Sequence, residues 1–120
     1  MIPKIINSKL IEIIPEIKEL FQYVTEWQDG IDTGSTIVIE DVFMVFLKEC
    51  LKNNYNEYIY KCSLFLEWLS EHFDDEYASV VLTISVFEYI HFASDRIQLE
   101  SVFGLQTRKL YDSYVSLLNL

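Results

Sequence analysis

Positive charge is what this chain lacks most: 9 Lys and Arg stand against 19 Asp and Glu, for a net charge of −10. Such a field repels a phosphate backbone, so direct nucleic-acid binding is not expected. Glycine and proline are also scarce, with 3 and 2 residues. An all-β fold needs many tight turns and a phosphate cradle needs glycines, so neither is expected. The two cysteines, Cys50 and Cys62, form no CxxC pair and lie at no zinc-type spacing from a histidine. They read as reduced, partly buried thiols of a cytoplasmic protein. Met1–Lys9 has no basic stretch followed by a long apolar run, so no secretory signal is expected. The longest apolar stretch, within Tyr77–Ala93, is broken by Ser79, Thr83, Ser85, Glu88 and His91. That argues against a membrane span.

The chain does have apolar bulk. Of its 120 residues, 51% are hydrophobic, including 8 Tyr, 8 Phe and 2 Trp. That is enough for one domain with its own core over residues 1–120. The spacing predicts an all-α fold of about six to seven antiparallel helices. They would be either HEAT-like stacked pairs or a plain irregular bundle. Ser8 is a candidate cap for a short helix Lys9–Ile14, and Pro15 opens a second helix to about Trp27. Gln28–Ser35 reads as a loop through its Asp29-Gly30 and Thr33-Gly34 turn signals. Thr36–Ile39 is β-branched and could be extended, with a helical pattern from Glu40 to Asn53. Tyr55–Phe73 reads as another helix. Asp74 or Asp75 caps Glu76–Ala93, which is apolar nearly all round and so expected in the middle of the domain. Ser94-Asp95 caps a short helix toward Phe103, and Gly104 is a natural stop. A last helix, Gln106–Leu118, is expected to bury Leu110, Tyr114, Leu117 and Leu118.

Signals for catalysis are weak. There is no GxSxG, HExxH or phosphate-binding loop around His72 or His91. Glu88 and His91 have Glu-x-x-His spacing, with Asp95 a turn further on. A bundle metal site needs two such motifs plus two more carboxylates, so no metal and no other cofactor is expected. Glu88 reads instead as a structural carboxylate bonded to a tyrosine or paired with Arg96, Arg108 or Lys109. The acid runs Glu40-Asp41 and Asp74-Asp75-Glu76 could do acid–base chemistry, but no cleft accompanies them in the sequence. The expectation is a protein that is not an enzyme.

The distribution of charge says more. No Lys or Arg occurs between Lys18 and Lys48, a stretch holding Glu19, Glu26, Asp29, Asp32, Glu40 and Asp41. None occurs between Lys61 and Arg96, a stretch holding Glu67, Glu71, Asp74, Asp75, Glu76, Glu88 and Asp95. Uncompensated acids repel one another at a cost to stability. A solvated face is the plain explanation. A surface that docks a basic partner is the sharper one. Trp27 and Trp68, each beside an acidic cluster, are candidate aromatic anchors.

Ile14 to Ile17 opening an early helix, Phe87-Glu88 within an apolar helix, and Gly104 to Tyr111 opening the last helix carry a resemblance. The chain resembles small all-helical bacterial immunity-type proteins of polymorphic and contact-dependent growth inhibition systems. Gln106-Thr107 stands where that family would have a proline. The resemblance implies a cytoplasmic protein that neutralises a cognate toxin domain, a basic nuclease being the natural target, with no catalytic residues of its own. An adaptor, a regulator or a nucleic-acid mimic is the alternative.

Overall fold

A computed structural model describes residues 1–119, all of whose regular elements are helical. Helix α1, Pro3–Ile13, starts six residues before the expected Lys9. Pro3 sits in its first turn, where a missing N–H costs nothing, so Ser8 lies inside the helix and caps nothing. Pro15 makes the expected break, through a 3-10 turn Pro15–Ile17 that leads into α2, Lys18–Thr25.

Residues 35–53 form one continuous helix, α3, built from an α-turn Ser35–Val38, a π-helical segment Ile39–Phe43 and an α-helix Met44–Asn53. The β-branched run at 36–39 is therefore helix, not strand. Its Val38 and Ile39 are fully buried, and that tertiary burial overrides the local preference. Asn54 ends α3 in the left-handed region at φ 57°. The Tyr55 N–H donates to the Cys50 carbonyl at 3.0 Å and the Asn54 N–H to the Leu51 carbonyl at 3.4 Å, the two bonds of a Schellman cap.

Helix α4 is Asn56–Glu71. Helix α5 spans 76–91, through Glu76–Val80, a long π-helical stretch Val81–Glu88, and Tyr89–His91. Asp75 caps it by accepting from the Ala78 N–H at 2.9 Å. Short α6, Arg96–Glu100, leads to α7, Leu105–Leu118. Gly104 does not close α6 as a left-handed stop. It is the extended residue that opens α7, with φ −79° and ψ −172°.

Helix α1 packs on α4 and on the start of α3, α2 lies against α3, α3 lies against α4 and α5, and α4 lies against α7. The core joins Ile6, Leu10, Ile17, Val42, Phe43, Leu47, Phe65, Leu69, Val86 and Phe87. The Phe43 and Phe65 rings meet at 5.3 Å. Helix α5 packs against α3 and α7 and buries Val81, Leu82, Val86, Phe87 and Ile90, leaving Val80, Ile84 and Glu88 as an open stripe. The burial expected on α7 holds only in part, for Leu110 and Tyr114, which pack against the core. On α7 the deeply buried residues are Thr107 and Tyr111, while Leu117 and Leu118 are exposed. The core stops short of the last turn of α7, so apolar spacing there has nothing to pack against. No helix among the described residues is long and apolar enough to cross a membrane.

Candidate functional site: an acidic, aromatic edge on α2

Of the acids in the two base-free stretches, the ten expected to form a docking face (Glu26, Asp29, Asp32, Glu40, Asp41, Glu67, Glu71, Asp74, Asp75 and Glu76) do not make one face. Glu67 is occupied inside the molecule. Its carboxylate accepts from the Thr107 N–H at 2.9 Å, the Thr107 hydroxyl at 2.8 Å and the Gln106 N–H at 3.1 Å. It thus caps the start of α7 from a different helix, where the helix dipole favours an anion. Burial pushes this carboxyl up, but the three hydrogen bonds outweigh it and hold it below the ordinary glutamate range. Gly104 makes room for the arrangement, since a Cβ there would lie 2.6 Å from the Glu67 carboxyl carbon. Asp75 is also committed. It caps α5 and pairs with the Met1 amino group at 2.8 Å, and both bonds lower its carboxyl.

Trp68 is not an open anchor. It is half-buried beside Phe65, with the His72 ring at 4.5 Å and the Lys9 ammonium over its face at 5.8 Å. Glu71, Asp74 and Glu76 are exposed at the α4–α5 turn but have lost their aromatic companion to the core. Asp41 is exposed on α3, and Glu40 lines a separate groove between α3 and α5.

The remaining acids, Glu26, Asp29 and Asp32, stay together with Trp27, and the structure adds Tyr23. Trp27 is 88% exposed and Tyr23 is 76% exposed. Tyr23 lies in the last turns of α2 and Trp27 in the turn that follows it. Beside them runs a groove of about 640 Å³ lined by Ile11, Lys18, Phe21, Tyr23, Glu26 and Ile31. Lys18 is the only base in it. Folded domains rarely leave two large aromatic rings this bare so close together in the chain without a use for them.

The loop that follows Trp27 is tied to α1 through Asn7. Asn7 on α1 is fully buried. Its amide donates to the carbonyls of Ile31 at 2.9 Å and Thr33 at 2.7 Å. Its own carbonyl accepts from the Ser35 hydroxyl at 3.0 Å. The Asp29 N–H donates to the Thr33 hydroxyl at 3.2 Å, and the Ser35 N–H donates to the Tyr77 hydroxyl at 2.9 Å. Gly30 takes the positive φ of 56° that the turn requires. The signal for Asn7 was present: it interrupts an apolar stripe between Ile6 and Leu10, where a polar residue must bond something.

The hydrogen bonds of the two histidines go to uncharged groups. His72 bonds the Trp68 carbonyl at 2.8 Å and His91 faces the Tyr111 hydroxyl at 3.3 Å, both neutral partners. Glu88 is exposed, and Arg96 and Arg108 pair with Glu100 rather than with it. Among the described residues no hydrogen bond or ion pair to the Glu88 carboxylate forms, so the structural role expected of it falls away. Among the described residues no three His, Cys, Asp or Glu side chains converge in a way that could hold a metal ion. Cys50 and Cys62 are buried free thiols, and burial pushes both up, out of the reactive range.

A family model described as a domain of unknown function (DUF7674) matches residues 7–118. No curated protein and no solved structure matches.

Proposed function

The chain belongs to the DUF7674 family, whose description assigns no activity, and from the geometry we propose that it is a non-catalytic binding protein. It docks a basic partner protein through the edge formed by Tyr23, Glu26, Trp27, Asp29 and Asp32. One observation carries the reading: Trp27 stands 88% exposed in the turn between α2 and the 29–35 loop, a loop that Asn7 ties to α1. Rigid aromatic anchors ringed by polar groups are what interface hot spots use, because little entropy is lost when they are covered. The acids around it would speed encounter with a cationic surface and exclude acidic ones.

The resemblance to immunity-type proteins supplies the kind of partner. A toxin nuclease must hold phosphate, so its cleft or the ground beside it is basic. An acidic edge bearing two aromatic rings would cover such a surface in the cytoplasm of the producing cell. The test is charge reversal in two places. Glu26→Lys with Asp29→Lys and Asp32→Lys should weaken binding to the partner at least tenfold and flatten its salt dependence. The same reversal at Glu71, Asp74 and Glu76 should leave affinity within about twofold, as expected of rim charges. Equal effects from the two triples would remove the local claim.

A further inference from the structure

The groove between α3 and α5 is a second feature, independent of the α2 edge. Its volume is about 510 Å³, and it is lined by Glu40, Lys48, Ile84, Glu88, Phe92 and Asp95, among others. Phe92 is 73% exposed and Ile84 is 47% exposed. Both belong to the end of α5 and its cap, eight residues apart, which is on the order of 10 Å along a helix. Three acids from two helices and a loop surround them. The single base, Lys48, stays in the groove, bonded to the Tyr89 hydroxyl at 2.8 Å with its ammonium 4.9 Å from the centre of that ring, and it offsets one of the three acids. Formal charge in the groove is therefore negative, with apolar knobs at its middle and end.

The walls have unusual backbones. The π-helical segment Ile39–Phe43 carries Glu40, and the π-helical segment Val81–Glu88 carries Ile84 and Glu88. The two segments pack against each other. Such turns are rare and concentrate where a protein works.

The geometry points to this groove as the seat of a cationic amphipathic helix belonging to a partner protein. An incoming helix presents side chains at i and i+7 about 10.5 Å apart along one face. That separation suits Ile84 and Phe92. Lys or Arg flanking those apolar positions would meet Glu40 and Glu88 along the groove, and Asp95 at its end. A neutral helix would leave the three carboxylates without partners, and an acidic one would be repelled. A purely cationic extended segment would leave the two apolar residues uncovered.

The probe is a labelled helical peptide of Leu and Lys, about 18 residues long with its Leu on one face, set beside a scrambled peptide of the same composition. Fluorescence anisotropy should show the amphipathic peptide binding at least tenfold more tightly than the scrambled one. Ile84→Ser combined with Phe92→Ser should remove most of that preference. Glu40→Gln combined with Glu88→Gln should reduce the salt dependence while keeping part of the preference. Glu71→Gln combined with Asp74→Asn, at the exposed α4–α5 turn, should change neither, which separates this seat from the general acidity of the surface. Amide shifts in a nitrogen-15 spectrum should cluster at Glu40, Ile84, Glu88 and Phe92. Equal binding of the two peptides, indifference to the Ile84 and Phe92 changes, or shifts centred on Trp27 would overturn the proposal.

Discussion

At the scale of single residues, the Glu67–Gly104 pair is the most informative. The two act as one device, because Gly104 has no side chain where the Glu67 carboxylate must stand to cap α7. Glu67→Ala should cost about 1 kcal/mol, the usual worth of a lost N-terminal cap. Gly104→Ala should cost a similar amount by pushing the carboxylate off its donors. The double variant should be no worse than the poorer single one, and urea unfolding of the four proteins measures this coupling. Ser85 gives the opposite expectation. Its hydroxyl is fully buried and has no hydrogen-bond partner. Ser85→Ala should therefore stabilise the domain by about 1 kcal/mol, seen as a raised melting temperature. Cys50 and Cys62, buried and with raised thiols, should resist iodoacetamide until denaturant is added.

At the scale of elements, Asn7 ties α1 to the loop that carries the docking edge. Asn7→Ala would leave the Ile31 and Thr33 carbonyls buried without donors, at a cost of roughly 2 kcal/mol. Hydrogen exchange should show the amides of 29–35 opening first, with α4 and α7 still protected. Much at this scale was legible in the chain. The break at Pro15, the turn at Asp29-Gly30, the stop at Asn53-Asn54 and the cap at Asp75 follow from local chemistry, and local chemistry is what a sequence displays. What could not be read depends on other elements. The 36–39 run is helical because the rest of the core buries Val38 and Ile39. Glu67 looks like one more surface acid until α7 arrives beside it. Trp68 and Trp27 sit in similar acidic surroundings along the chain, and only packing separates the half-buried ring from the bare one.

At the scale of the molecule, a net charge of −10 opposes compactness at neutral pH. Protonating some of the acids relieves that repulsion, so stability should rise slightly as pH falls from 7 toward about 5. The two capping carboxylates act in the other direction. Glu67 and Asp75 are both lowered in the folded protein, so their contribution is complete above the unfolded values, roughly pH 4. It is lost as pH falls through the lower folded values. Thermal unfolding against pH should therefore pass through a maximum on the acid side of neutrality and then drop. Glu67→Gln should make the drop below about pH 4 shallower.

The same charge surplus turns from cost to use once part of it faces a cationic partner. The acids divide by position into internal caps, a groove between α3 and α5, a turn between α4 and α5, and the α2 edge. The α2 edge sets its acids near Trp27 and Tyr23, the two most exposed aromatic rings among the described residues. Trp27→Ala is therefore the sharpest probe, because an exposed side chain should contribute less than about 0.5 kcal/mol to folding while an interface anchor is worth about 2 kcal/mol or more in binding. The deciding measurement captures partners from native-host lysate on immobilised wild-type domain and on the Trp27→Ala variant, with quantitative mass spectrometry at low and high salt. The account predicts one strongly basic protein held by the wild type, released by salt and depleted at least tenfold from the variant. Equal recovery of the same partner on both surfaces, or a partner that is itself acidic, would contradict it.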